Sequence, residues 1–256
     1  MILKEFRSKR PVSPFAPNWF FHVGEKDVTD IDCDKLKDYL LSKLDEVLSI
    51  EDDSINDHAY GTQIGKDTTT ARSGLYNIFS WEHPEIDKLK DNITKFHHEY
   101  YKQSLEKDDL PPELWINGWM NVMKKGQVIR KHAHGYLEWT YLSGHFTVQS
   151  SDTKTVYVNP YEHMTDSRMI KDLKSGVLDS YSHRLYAADN IAGRMALFPS
   201  FVPHFTTTHD GDDYRITLAF DMSYHQKHPI YIPLYKFIGS NKTFTLTDPG
   251  TRRFIR

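Results

Sequence analysis

Apolar residues in the first hundred positions recur with a helical period. In DKLKDYLLSKLDEVLSI (34–50), Leu36, Tyr39, Leu40, Leu44, Val47 and Leu48 fall on one stripe. That is the pattern of an amphipathic helix, with Asp32 or Asp34 placed to cap its N-terminus. HPEIDKLKDNITKFHHEYYKQSL (83–105) repeats it with Ile86, Leu89, Ile93, Phe96 and Tyr100. Pro84 sits near its start, where proline is tolerated. Upstream, PVSPFAPNWFFHV (11–23) is broken by prolines and predicts an extended segment packed on the body.

From Leu114 the period drops to two. LWINGWMNVM, LEWTYLSGHFTVQ, TKTVYVNP, HRLYAADN, RMALFPS, FVPHFTTTH and YRITLAFDMSYH follow one another, separated by Gly, Pro, Asn and Asp. Such segments are strand signals. Helices first and antiparallel strands after predict a mainly β protein with flanking helices, a sandwich or small barrel braced by the helices. The polar stretch 161–183 predicts a loop or short helix over one mouth of the barrel, and the tail FTLTDPGTRRFIR (244–256) a peripheral segment. One domain spanning 1–256 is expected: a helical and extended support region (1–110), the barrel (111–225) and a C-terminal extension (226–256).

Bulk properties narrow the partners. The 256 residues suffice for one sizeable core. Aromatics at 13% and a hydrophobic share of 39% describe a globular chain. A formal charge of −3 gives no reason to expect nucleic acid or a membrane surface as partner. The single cysteine, Cys33, excludes an intrachain disulfide and a cysteine-built metal site, and suits a reducing compartment. MILKEFRSKRPVSP lacks the apolar core of a signal peptide, and no apolar run is long enough to span a bilayer. The expected location is cytoplasmic; a homodimer is compatible with all of this.

Fourteen histidines direct attention to metal-ligand spacing. His132 and His134 stand at the head of a predicted strand, where residues i and i+2 share a face. Glu138 joins them if the strand stays regular. Two imidazoles on one face can take adjacent positions on a metal, and a third ligand must come from elsewhere. His204, after a proline-bearing turn, is the candidate. Ten residues separate it from Arg215. Arg215 opens RITLAF, whose inward members would be Arg215, Thr217 and Ala219. An arginine inside a barrel is costly unless it meets an anion, and a guanidinium beside a hydroxyl is a good carboxylate receptor. The combination suits a metal-chelated organic acid, one end on the metal and the other on Arg215 and Thr217. His145, His163, His183, His209 and His225 are expected at the surface or in loops, as is one of His97 and His98.

At these residues the chain resembles the double-stranded β-helix Fe(II)/2-oxoglutarate-dependent oxygenases, and more closely a bacterial and phage branch with an H-x-H motif. The resemblance rests on WMNVMKKGQVIRKHAHGYLEWTYLSG and AGRMALFPSFVPHFTTTHDGDDYRIT and covers roughly residues 114–222. It implies a jelly-roll, cupin-like barrel with N-terminal helices bracing it. It also implies Fe(II) as metal and 2-oxoglutarate as co-substrate. His132 takes the place of the first histidine of the facial triad and His204 that of the distal one. Arg215 takes the basic residue that holds the far carboxylate of 2-oxoglutarate, and Thr217 the hydroxyl that accompanies it. Asn121 and Tyr141 are further candidate contacts to the co-substrate, and Trp119 to the cavity; structural roles compete in each case.

The departure is His134, where most of the superfamily carries Asp or Glu; the general facial triad is two histidines and one carboxylate. Three arrangements stay open. In the first, His132, His134 and His204 hold the metal; in the second, Glu138 supplies the carboxylate, since G-x5-H-x-H-x3-E is also a cupin pattern; in the third, His134 stands behind the ligands. Halogenating members lack the carboxylate too, but their small residue leaves room for chloride that His134 would fill. The implied activity is hydroxylation of a small-molecule or side-chain substrate with release of succinate and CO2. The alternatives are a metal-dependent cupin-type enzyme that does not use 2-oxoglutarate, or a non-catalytic ligand-binding barrel.

Overall fold

The computed structural model describes residues 1–7, 20–51, 55, 65, 67–105, 114–134, 140–160, 185–223, 235–237 and 244–246. In chain order they form β1 (Ile2–Arg7), β2 (Phe20–Asp27), α1 (Cys33–Ser42), α2 (Leu44–Leu48), α3 (Pro84–Leu105) and β3 (Leu114–Met123). There follow β4 (Thr140–Gln149), β5 (Lys154–Val158), β6 (Leu185–Asp189), β7 (Arg194–Pro199), β8 (His204–Thr206), β9 (Arg215–Ser223), β10 (Tyr235–Phe237) and β11 (Phe244–Leu246). The large sheet has the order β1-β2-β7-β4-β9-β3-β10-β11, and a small sheet the order β6-β5-β8. The pairing is antiparallel throughout both sheets. This is the β-rich double-stranded β-helix that the run of short strands implies.

The helices follow the stripes. Asp32 accepts a hydrogen bond from the Lys35 amide at 3.1 Å and so caps α1. The predicted single helix divides at Lys43, whose amide bonds back to Leu40 at 3.1 Å. Ile86, Leu89, Ile93 and Phe96 of α3 are fully buried, and Pro84 is its first residue. These side chains pack with Leu142, Phe146, Ile216, Leu218, Phe220 and Met222, which are alternate residues of β4 and β9. The other faces of β4 and β9 turn toward the small sheet: His145 of β4 meets Tyr157 of β5, and Arg215 of β9 meets Thr153. A second apolar cluster, with Phe6, Phe21, Val23, Tyr157, Ala196 and Phe198, lies between the sheets.

Both ends of the chain contribute strands to the large sheet. Within residues 1–110, β1 and β2 belong to it, with Gly24 opposite Leu197 of β7. Positions 21–25 of β2 are all buried, so this strand shows no polar–apolar alternation to read. The C-terminal region also joins the sheet, through β10 against β3. The stretch 161–183 lies outside the described residues, as does most of the tail.

Beyond its contact with β10, β3 has a free edge, which a sheet must protect. Side chains from residues 69–77 do this. Asn77 Oδ1 accepts from the Gly118 amide at 3.0 Å, Tyr76 Oη from the Met120 amide at 2.8 Å, and Thr69 Oγ1 from the Val122 amide at 3.0 Å. Every second amide thus bonds to a side chain where a strand would otherwise be needed.

The paired histidines of α3 divide as expected: His98 is exposed and His97 fully buried against Tyr141. Burial, with a smaller effect of His98, pushes the His97 imidazole down to about 4. The folded state therefore keeps the neutral ring while the unfolded chain takes up a proton near 6.5. Stability from this group is full above that pH and is lost as pH falls to about 4, by about 3 kcal/mol at the acid end. Urea unfolding followed between those limits should show the decline, and His97→Leu should flatten it. An unchanged slope in the variant would show that His97 does not titrate there.

Candidate metal centre

His132 and His134 precede β4 rather than open it. They lie in an extended segment that pairs with the chain around β8. The His132 amide donates to the His204 carbonyl at 3.0 Å, the His204 amide returns a bond at 2.8 Å, and the His134 amide donates to Ser200 at 2.9 Å. The expected common face survives, because an extended backbone alternates sides with or without a full strand. The same pairing seats His204 across from them.

Each of the three residues offers one ring nitrogen, and these nitrogens lie within 4.8 Å of one another. On every ring Nδ1 is engaged elsewhere. It lies 2.8 Å from the Arg130 carbonyl in His132, 2.7 Å from Asp221 Oδ1 in His134, and 3.1 Å from the Val202 carbonyl in His204. Those acceptors assign the proton to Nδ1 and leave Nε2 with its lone pair, the tautomer a metal ligand needs. Burial, followed by the neighbouring His134, pushes His132 down to about 4. Burial and then His132 hold His204 well below the usual histidine range. Both rings are neutral at physiological pH.

Behind this group, β9 presents Arg215, Thr217, Ala219 and Asp221 on one face. Arg215 is 2% exposed. Its Nε donates to Thr153 Oγ1 at 3.1 Å and one terminal nitrogen approaches Met123 Sδ at 3.2 Å. Asn190, with its amide turned to satisfy its neighbours, accepts from the other terminal nitrogen at 3.3 Å. No carboxylate pairs with Arg215 among the described residues, and burial pushes the guanidinium down to about 10. Several neighbours on the same inner face hold buried polar atoms without a partner among the described residues: Thr147 Oγ1, Asn117 Oδ1 and His145 Nδ1. An uncompensated cation and open donors and acceptors are costly in an apo interior, and they fit a bound anion with polar groups.

The other predicted residues divide. Asn121 accepts from Thr70 Oγ1 at 2.8 Å and reaches Thr217 Oγ1 at 3.5 Å, so it orients the hydroxyl beside Arg215. The Trp119 ring stands 5.7 Å from that of His134. Tyr141 does not share their face. The register of β4 slips between Thr140 and Leu142, and this bulge sends Tyr141 to the helix side, against His97. Glu138, His163, His183 and His225 lie outside the described residues. His145 and His209 are interior rather than surface residues: His145 Nε2 is 3.0 Å from Tyr157 Oη, and His209 is fully buried. Burial, with the charge of Arg215 second, pushes His145 down to about 3.

Sequence reasoning passed over Asp221, Ser143, Thr153 and Asn190. Asp221 had a signal, being the fourth member of the alternation Arg215, Thr217, Ala219, Asp221 in an otherwise apolar strand. Thr153 and Asn190 had none, because only the fold brings them to Arg215.

A double-stranded β-helix with three convergent imidazoles and a buried arginine is an arrangement that could hold a metal ion and an anionic ligand. Residues 117–221, which carry the three histidines and Arg215, match the family model described as "Putative 2OG-Fe(II) oxygenase". The match spans less than half of the chain, and over it the segment is similar to the 2OG-Fe(II) oxygenases. Among solved structures, a prolyl-4-hydroxylase from Pseudomonas putida is 10% identical, with TM-score 0.47 over 79% of this chain and 92% of that one. A 2OG-Fe(II) oxygenase family oxidoreductase from Burkholderia pseudomallei is 13% identical, with TM-score 0.39 over 56% of this chain and 59% of that one. HygX from Streptomyces hygroscopicus, with nickel and 2-oxoglutarate bound, is 14% identical, with TM-score 0.30 over 44% and 56%. No curated protein matches the chain. No helix among the described residues is long and apolar enough to cross a membrane.

Proposed function

We propose that this chain is an Fe(II)- and 2-oxoglutarate-dependent hydroxylase of a small molecule or an exposed side chain, releasing succinate and CO2. The observation that carries the reading is Arg215, a buried cation with no carboxylate partner among the described residues, on the strand face that leads to the three imidazoles. His132, His134 and His204 would hold the metal through Nε2. Arg215 would take the far carboxylate of 2-oxoglutarate in its planar fork, with Thr217 beside it and Asn121 orienting Thr217. When bound, Fe(II) with 2-oxoglutarate supplies the activation of O2 that the side chains cannot provide. The chain's own residues position these groups. Trp119 stacks near His134 and walls the metal side of the pocket. The lone, half-buried Cys33 supports a reducing compartment, and on that ground we place the protein in the cytoplasm.

The test is anaerobic titration with Fe(II) and then 2-oxoglutarate. A visible metal-to-ligand charge-transfer band is expected when both are present, and none in His132→Ala. Fe(II) binding without a band in wild type would instead support a metal barrel that does not use 2-oxoglutarate. No Fe(II) binding at all would support a non-catalytic barrel.

A further inference from the structure

Three imidazoles are neutral ligands, so a divalent cation held by them alone keeps its whole charge in a largely enclosed site. An arrangement of two histidines and one carboxylate lessens that charge through an anionic ligand. Among the described residues, a carboxylate stands one hydrogen bond behind the three rings. Asp221 Oδ1 lies 2.7 Å from His134 Nδ1, and the same oxygen accepts from Ser143 Oγ at 2.6 Å. Ser143 and Asp221 are direct partners across β4 and β9, so the sheet itself, not a loop, fixes this pair. The three rings are not backed alike. His132 and His204 donate to the main-chain carbonyls of Arg130 and Val202, which are neutral acceptors. Among the three, the ring with a carboxylate behind it is His134.

We propose that Asp221, oriented by Ser143, is a positioning residue that delivers through His134 the negative charge missing among the direct ligands. This rests on the three-histidine reading above. The Nδ1–H of His134 donates to Asp221, which fixes the tautomer, aims Nε2 into the site and makes that nitrogen more basic. Partners of this kind behind a ligand are typically worth about 10–100-fold in metal affinity. The arrangement accounts for a histidine at a position next to His132 without leaving the centre short of negative charge.

The discriminating variants are Asp221→Asn, which keeps an acceptor oxygen for His134 and removes the charge, and Asp221→Glu, which keeps the charge. In the full-length protein, Asp221→Asn should weaken Fe(II) binding about 10–100-fold and raise the midpoint potential of the bound Fe(III)/Fe(II) couple, since a less basic imidazole stabilises Fe(III) less. Asp221→Glu should recover part of both. Ser143→Ala should shift both in the same direction by less, and it serves if the Asp221 variants fold poorly. A merely structural role would lower the thermal midpoint of the metal-free protein and leave the potential of whatever iron binds unchanged; that result overturns the proposal. So does wild-type affinity and potential in Asp221→Asn while His132→Ala has lost the metal. If His132→Ala also binds Fe(II) like wild type, the three-histidine reading itself falls and takes the proposal with it.

Discussion

Replacing Arg215 by methionine is expected to make the metal-free protein more stable and to remove its affinity for 2-oxoglutarate. Arg215 sits 2% exposed with neutral neighbours only, Thr153, Met123 and Asn190, among the described residues. A guanidinium taken out of water without an anion is a net cost to the fold. Replacing buried charges by apolar side chains of similar volume is neutral or stabilising by about 1–4 kcal/mol. Methionine keeps much of the aliphatic stem and can lie against Met123. The groups left behind are not stranded: Thr153 Oγ1 stays 2.5 Å from Ser150 Oγ, and Asn190 keeps Thr155 and Thr153. The thermal midpoint should rise by roughly 2–4 °C for each kcal/mol gained. Binding should move the other way. Removing one member of a buried charge pair costs about 2–5 kcal/mol of affinity, so 2-oxoglutarate should bind on the order of 100-fold more weakly or worse. Fe(II) affinity should hold, since Arg215 is not among the three converging residues. Differential scanning calorimetry and anaerobic titration read the two halves separately. A less stable variant that still gives the charge-transfer band would show that Arg215 is a structural cation and not the co-substrate's partner.

The same residue shows why part of this site could be read from the sequence. Arg215 and Thr217 alternate with Ile216 and Leu218, and a charged residue at the inward parity of an apolar strand has few explanations. His132, His134 and His204 are similar: a two-residue spacing survives whether the backbone is a strand or, as here, an extended segment bridged to β8. Period-two patterning also gave the order of strands from β3 to β9. What could not be read depends on register or on distant contacts. Tyr141 has the parity of Ser143 and reads as a candidate contact to the co-substrate, but one slipped residue at Thr140/Leu142 turns it to the helices. Strand β2 has no alternation to read because positions 21–25 are all buried, and β1 is an edge strand with Phe6 as its one buried residue. His145 reads as any histidine in a strand until Tyr157, twelve residues on, folds over it. Asp221 has the right parity, but 87 residues separate it from His134, and only the fold brings the two together.

Gly144→Ala is expected to be the most damaging single-methyl change in the large sheet. Gly144 lies in β4 opposite Phe220 of β9, and Gly118 lies opposite the same Phe220 from β3. The three strands therefore carry a Gly–Phe–Gly row on the helix side, and the ring occupies space that neighbouring side chains would need. A Cβ at 144 would stand 2.4 Å from Phe220 Cζ and 2.6 Å from the Ala196 carbonyl oxygen. The ring is held edge-on by Phe79 at 6.3 Å, and the carbonyl belongs to the paired strand β7, so neither can withdraw alone. Glycine ordinarily weakens a strand by about 0.5–1 kcal/mol relative to alanine; here the overpacking outweighs that and should cost about 3 kcal/mol or more. The damage should reach the metal centre, because Ser143 and His145 flank position 144 and Ser143 holds Asp221. Fe(II) affinity should therefore fall along with stability. Phe220→Leu in the Gly144→Ala background relieves the ring contact and leaves the Ala196 carbonyl contact. A double-mutant cycle should accordingly show partial recovery, with the two substitutions costing less together than the sum of their separate costs. Additive losses would mean that the backbone contact with β7, and not the aromatic ring, sets the requirement for glycine.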